Sequence, residues 1–417
     1  MKNLQINLPG SVAEILDKLN NKGFKAFAVG GCIRDSIIGR KPADWDIATN
    51  ARPSEVQSLF EKTAATGLAH GTITVILNGG VYEVTTFRAE SGYADFRRPD
   101  SVNFGVSLGE DLKRRDFTVN ALAYHPKTGI IDNFDGIGDI KRRIIRTVGN
   151  PDVRFSEDAL RMLRAVRFAA QMNYSIDVGT LSSIKRNSHL IEHISIERIR
   201  DELTGILVSN NSGRMALLSE TRLLDYILPE LSETLAGKNA ATIRQAFKPL
   251  DFVHCNPAVR WCVLLITAKA STDTARRLRL ERKTVSLFGR IKECFKEEIG
   301  ERPADIRRAV SQIGKDIFPC VLHIRKAFLT AEGSGEAEKE LQRLLNAKRA
   351  FKEAVRNGYP LELGSLALNG DELSELGIPK GENLGSVLKM LLEAVLEEPS
   401  LNSKASLLKL LRKSEFI

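Results

Sequence analysis

A chain of 417 residues, 43% hydrophobic and 27% charged, is long enough for two to four globular domains and carries no low-complexity tract. Its 61 Lys and Arg against 52 Asp and Glu give a formal charge of +9, a basic excess that suits a nucleic-acid partner. No apolar signal core follows Met1, no apolar run reaches membrane-spanning length, and the five cysteines are scattered without a Cys-x-x-Cys pair. Disulfides and structural zinc are therefore not expected, and a reducing cytoplasm is.

Residues 1–149 read as mixed α/β. An amphipathic stretch, Val12 to Leu19, precedes a strand at Ala26 to Val29, and Gly30-Gly31 opens a helix ending near Gly39. A second strand is expected over Asp44 to Thr49. Two β-branched runs, Thr72 to Leu77 and Val81 to Phe87, are joined by Asn78-Gly79-Gly80, a hairpin signal. About five strands are expected in all. After Pro151 helical patterns dominate, punctuated by Pro229, Pro303 and Pro360.

The densest chemistry lies between Gly30 and Asp46. Two glycines before a helix let the backbone approach a phosphate, the helix start adds free N–H groups, and Arg34 can donate to a phosphate oxygen. Asp44 and Asp46, two apart on a strand, would share a face and hold Mg²⁺ beside substrate phosphates. Glu83, on the hairpin, is a candidate third carboxylate. An Asp-x-Asp pair or a Gly-Gly turn alone is commonplace; strand, helix and strand in this order are specific.

The pattern Gly30-Gly31-x-x-Arg34-Asp35-x-x-x-Gly39, followed by Asp44-x-Asp46, resembles the first signature of class II tRNA nucleotidyltransferases and bacterial poly(A) polymerases, in the DNA polymerase beta superfamily. The segment Arg114-Arg115-Asp116-Phe117-Thr118-Val119-Asn120-Ala121 resembles their second signature, which implies binding of the nucleotide's ribose and phosphates. Arg115 can pair with phosphate, and Asp116 and Asn120 can hydrogen-bond ribose hydroxyls.

Phe155 to Arg167 reads as one helix, with Ala159, Leu163, Val166 and Ala170 as its apolar stripe. Asp158 and Arg161 lie three apart, off that stripe, and Arg164 and Arg167 continue a basic edge. Cytosine and adenine both place an amino donor beside a ring acceptor. A carboxylate and a guanidinium match that edge and mismatch guanine and uracil. The segment resembles the family's Glu-Asp-x-x-Arg motif, which implies that Asp158 and Arg161 read the base. The alternative is a surface ion pair worth about 0.2–0.5 kcal/mol.

Shorter resemblances follow. Ile194 to Leu203 is similar to a motif in which Glu197 and Arg198 brace the reader helix, and Phe134-Asp135-Gly136 with Asp139 to the motif joining catalytic and helical parts. Gly67 to Thr72 resembles the CCA-adding type, and Arg88 to Asn103, with Tyr93, Asp95, Arg97 and Arg98, the family's flexible loop. Leu376 to Gly385 resembles a tail element of Gram-positive-type members.

The resemblance implies an α+β, polymerase-beta-like head over residues 1–149. An all-α neck (150–207), body (208–301) and tail (302–417) would follow in an elongated multidomain chain. The implied function is Mg²⁺-dependent addition of C, C and A to tRNA from CTP and ATP, with contacts to the acceptor and TΨC arms. A-only addition and poly(A) synthesis are the near alternatives. Arg276-Arg277-Leu278-Arg279 and Arg307-Arg308 are either phosphate contacts or solvated helix faces. His189-Leu190-Ile191-Glu192-His193 matches a zinc-peptidase pattern, and a non-catalytic RNA-binding module would explain the charge alone.

Overall fold

The computed structural model describes residues 5–92 and 101–414. Two compact units divide between Gly237 and Lys238.

In the first unit, helix α1 (Gly10–Asn21) buries Val12, Ile15, Leu16 and Leu19, the spacing of one helical face. Strand β1 (Ala26–Val29) leads through Gly30 into α2 (Gly31–Ile37), and β2 (Asp46–Thr49) returns antiparallel beside β1. After α3 (Pro53–Leu59) come β3 (Thr63–Gly67), β4 (Thr72–Leu77) and β5 (Gly80–Thr86). The β4–β5 turn is Asn78-Gly79 with φ of +50° and +76°, the left-handed pair that a two-residue hairpin demands. A separate ribbon pairs β6 (Arg88–Ser91) with β7 (Ser101–Phe104); Tyr93, Asp95, Arg97 and Arg98 lie outside the described residues. Then follow α4 (Leu108–Lys113), β8 (Leu122–His125), β9 (Gly129–Asp132) and α5 (Gly136–Arg142).

The main sheet has seven strands in the order β3-β4-β5-β2-β1-β8-β9, not about five. The short strands β8 and β9 lack long β-branched runs, so pairing defines them, β8 against β1 and β9 against β8. Every pair is antiparallel except β2 with β5. Strand β2 also begins at Asp46, leaving Asp44 in the preceding loop. Alternation along a strand therefore does not set the relation of Asp44 to Asp46.

The expected single helix over Phe155 to Arg167 is two. Helix α6 (Pro151–Glu157) stops at Asp158, whose φ of −144° and ψ of 103° are extended, and α7 (Leu160–Met172) restarts beyond Ala159. Helix α7 buries Leu163, Val166 and Ala170 and packs on α9 (Ile196–Leu207), which follows α8 (Val178–Asn187).

The second unit contains helices and no strand among its described residues. Pro303 occupies the first turn of its helix, where the missing N–H costs nothing. Arg307 is buried there, its guanidinium donating to the carbonyls of Leu396 and Glu397 at 2.7 and 2.9 Å. Arg308 pairs with Asp305, Glu393 and Glu397. This Arg pair ties two helices of its own unit together, so the phosphate-contact reading of Arg307-Arg308 gives way to a structural one.

Candidate active site

Three carboxylates meet at the middle of the main sheet. In the β2–β5 pairing Asp46 stands opposite Glu83, so both side chains leave the same face. Val29 and then Ala123 continue that row across β1 and β8. Val29, Ala48, Phe87, Leu112 and Ala123 form a buried apolar cluster beside it, so Asp46 sits at the edge of a dry floor. Burial pushes its carboxyl up to about 6, with the charges of Asp44 and Glu83 adding to the rise and Arg115 opposing it. Concentrated negative charge with one opposing guanidinium suits a hard divalent cation. Among the described residues no group of three or more His, Cys, Asp or Glu forms a ready-made metal cage. Mg²⁺ is often held by one or two carboxylates completed by substrate phosphates.

Beside the carboxylates lies the glycine turn. Gly30 has φ +84°, and a Cβ built on it would stand 2.8 Å from Nη1 of Arg115. Glycine is needed there for its backbone and for its lack of side chain. Among the described residues Arg115 has one long bond, to Asp111 at 3.4 Å, and its buried Nε has no partner. Gly31 begins α2, and Arg34 on that helix donates to Asn120 Oδ1 at 2.5 Å and to Asp35 at 2.9 Å.

Asp116 is 9% exposed, and its oxygens accept from Phe117 N, from Asn120 Nδ2 and twice from Arg164, at 2.7 to 3.1 Å. Burial would raise its carboxyl. The Arg164 charge and these bonds outweigh that and hold it down at about 2. Asp116 thus links the second signature to α7, and Asn120 links Asp116 to Arg34.

The residues expected to read the base have separate protein partners. Asp158 caps α7, accepting from Leu160 N at 3.1 Å, and pairs with Arg198 of α9 at 3.1 Å. Arg161 Nη1 donates to Glu157 at 2.6 Å and to the Arg154 carbonyl, and Nη2 donates to the Arg114 carbonyl. An Asp158–Arg161 surface ion pair, the bland alternative, is not formed among the described residues. Among the described residues Arg161 Nε–H and one Nη2–H have no protein acceptor, and the Asp158 carboxylate keeps lone-pair capacity.

Sequence reasoning missed three supports. Glu202 on α9 holds Arg167 at 2.6 Å. The Phe168 ring lies 4.5 Å from the Arg167 guanidinium and 5.3 Å from those of Arg34 and Arg164, a cation–π hub among like charges. Asp111, 1% exposed, binds Arg114 and Arg115 together. Asp111 and Glu202 carried no sequence signal. Phe168 did carry one, an aromatic among Arg164 and Arg167, which reads equally as core. Asp139, fully buried, accepts from Thr118, Arg142 and Arg146, joining α5 to the second signature and to the segment between α5 and α6.

The zinc-peptidase pattern falls on a 3₁₀ turn, Ser188–His193. At three residues per turn, positions four apart point about 120° away from each other, so His189 and His193 do not share a face.

Comparison with known proteins places the chain in a family. A family model described as "Poly A polymerase head domain" matches residues 26–146, and one described as "Probable RNA and SrmB-binding site of polymerase A" matches residues 173–235. A CCA-adding enzyme of Lactobacillus delbrueckii subsp. bulgaricus is 37% identical over 401 residues, covering 94% of this chain and 95% of that protein. One from Limosilactobacillus reuteri is 36% identical over 398 residues, 94% of each chain. The crystal structure of the Bacillus stearothermophilus CCA-adding enzyme in complex with CTP aligns with a TM-score of 0.77 at 33% identity, covering 97% of this chain and 98% of that one. The fold alone is shared with the Thermotoga maritima CCA-adding enzyme complexed with tRNA, at a TM-score of 0.65 and 20% identity.

Proposed function

Since this chain belongs to the CCA-adding enzyme family, we propose that it completes the 3′ end of tRNA by adding C, C and A from CTP and ATP without a nucleic-acid template. The observation that carries the reading is the convergence of Asp44, Asp46 and Glu83 beside an under-partnered Arg115 at the Gly30 turn. The carboxylates would hold a divalent cation where the RNA 3′ end reacts, and the cationic turn takes the triphosphate.

The cation is Mg²⁺ in this reading; Asp44 and Asp46 would hold it, and it would supply activation of the 3′-hydroxyl and neutralisation of charge on the pyrophosphate. Glu83 adds charge behind it. Gly30 and Gly31 leave room for the phosphates to approach the backbone, and Arg34 and Arg115 donate to phosphate oxygens. Asp116 and Asn120 order the ribose side of the pocket, the first by fixing Arg164 and the second by fixing Arg34. Asp158 accepts from the amino group of C or A, and Arg161 donates to the ring acceptor. Arg164 and Arg167 keep the reader surface cationic. In the proposed division, residues 1–149 carry the chemistry, 150–207 the base reading, and the 208–301 and 302–417 segments hold tRNA. No helix of the described residues is long and apolar enough to cross a membrane, all five cysteines are free, and the cytoplasm is the proposed location.

Incubation with tRNAs ending before the first C, after one C and after both tests the reading. With CTP and ATP each should be extended to CCA, and Asp46→Ala should abolish extension while leaving tRNA binding intact. Extension of the last substrate alone would replace this reading with A-only addition. Parallel loss of tRNA binding in Asp46→Ala would favour a binding module.

A further inference from the structure

A second cleft lies at the far end of α2 from the glycine turn, about 10 Å away along a helix rising 1.5 Å per residue. Its volume is about 510 Å³. Ile37 at the end of α2, Ile38 just beyond it, Ile130 from β9, Ile137 from α5 and Met172 from α7 give it an apolar floor. Ile140 of α5 adds to that floor, Arg40, Lys141, Arg143 and Tyr174 complete the lining, and no carboxylate contributes to it.

The polar groups here are short of partners. Arg40, Lys141 and Arg143 are exposed, and neither Lys141 nor Arg143 forms a side-chain hydrogen bond or ion pair among the described residues. Arg40 uses one nitrogen, Nη1, on the Gln171 carbonyl at 3.1 Å. Arg143 is held in the left-handed region, φ 58°, by cap bonds to the end of α5, so its stem has a fixed origin. Tyr174 is only 6% exposed, yet its hydroxyl has no hydrogen-bond partner among the described residues. Unlike Arg115 Nε, that oxygen is not sealed from solvent, so it opens on the cleft and is free to donate to a ligand there. Burial raises the Tyr174 pKa, which keeps the hydroxyl protonated as a donor.

We propose that this cleft is a second nucleotide site, taking the base of a single-stranded RNA residue on its isoleucine floor and the adjoining phosphate at Arg40, Lys141, Arg143 and Tyr174. Three cations and a neutral donor complement phosphate oxygens, and an aliphatic floor meets the face of a base by apolar contact that does not select among bases. The site lies away from Asp46, so it anchors RNA and takes no part in bond making. The choice of RNA rests on the proposed nucleotide addition.

The test uses the full chain and a fluorescein-labelled adenosine trinucleotide bearing a 5′-phosphate, with binding read by anisotropy. Arg143→Glu should weaken binding at least tenfold and Tyr174→Phe severalfold, with unchanged circular dichroism. Inorganic phosphate should compete far more weakly than unlabelled trinucleotide. In C addition to a short RNA primer, both variants should raise KM for the primer and leave kcat and KM for CTP unchanged. Wild-type affinity in both variants overturns the proposal, as does competition by phosphate equal to that of the trinucleotide. Failure of the wild-type chain to add C at all would instead overturn the nucleotide-addition reading, because the binding measurement does not depend on it.

Discussion

Removing the positive half of the Asp116–Arg164 pair measures what fastens the nucleotide-binding segment to α7. Arg164→Met keeps an unbranched apolar stem and deletes the charge that gives Asp116 two of its four hydrogen bonds. In the native chain the carboxyl sits at about 2 rather than 3.8, which corresponds to about 2 kcal/mol of stabilisation at neutral pH. The folded value lies below the unfolded one, so this contribution is complete above about pH 4 and is lost as pH falls towards 2. Without Arg164 the burial remains and now dominates, so the carboxyl titrates above its ordinary value. Breaking a buried pair on one side costs about 3–5 kcal/mol. Arg164 is partly solvated, with its side chain 32% exposed, so the lower end, about 3 kcal/mol, is expected at pH 7. That loss should shrink towards pH 4, where the variant's carboxyl is protonated and no charge is stranded. Urea unfolding followed by circular dichroism at both pH values, using the transition of the unit ending at Gly237, measures it. Asp116→Asn combined with Arg164→Met should recover part of the loss. A cost below about 1 kcal/mol at pH 7, or an equal cost at both pH values, would refute the pairing as the fastening.

Gly30→Ala should lower nucleotide incorporation at least tenfold with a modest fall in melting temperature, because φ +84° with ψ −132° is a glycine region that costs another residue about 1–3 kcal/mol and the Cβ displaces Arg115; steady-state kinetics with CTP decide it, and near-native rates would sink the idea. Asp158→Ala should admit UTP and GTP, while Arg161→Ala should weaken CTP and ATP alike, each by roughly tenfold for one charged hydrogen bond; four-nucleotide incorporation assays show whether C and A preference survives, which it should not. Arg198→Ala should produce a weaker version of the Asp158→Ala phenotype without loss of CTP affinity, since Arg198 orients Asp158 through a 3.1 Å ion pair. Identical selectivity to wild type would assign Arg198 a purely structural part.

Local patterns sufficed wherever a short stretch of chain sets its own geometry. The face of α1, strand β1 and the Asn78-Gly79 turn follow from periodicity and from left-handed backbone preference, both written in adjacent residues. The order of the signatures likewise pointed to Asp46, the Gly30 turn and Arg115, because close backbone approach and paired carboxylates are chemical requirements visible in residue type. Neighbours in space are not visible in this way. Pairing across β2 and β5 put Glu83 opposite Asp46, while the actual start of β2 removed Asp44 from the strand. Asp158 turned out to end one helix and cap the next, with Arg198, forty residues on, as its partner in place of Arg161. Glu202 and Asp111 entered as the buried acids that hold Arg167, Arg114 and Arg115 in place. A chain specifies backbone conformation through interactions over a few residues. Which charge neutralises which depends on contacts between segments far apart in sequence, and only the packed tertiary structure decides those.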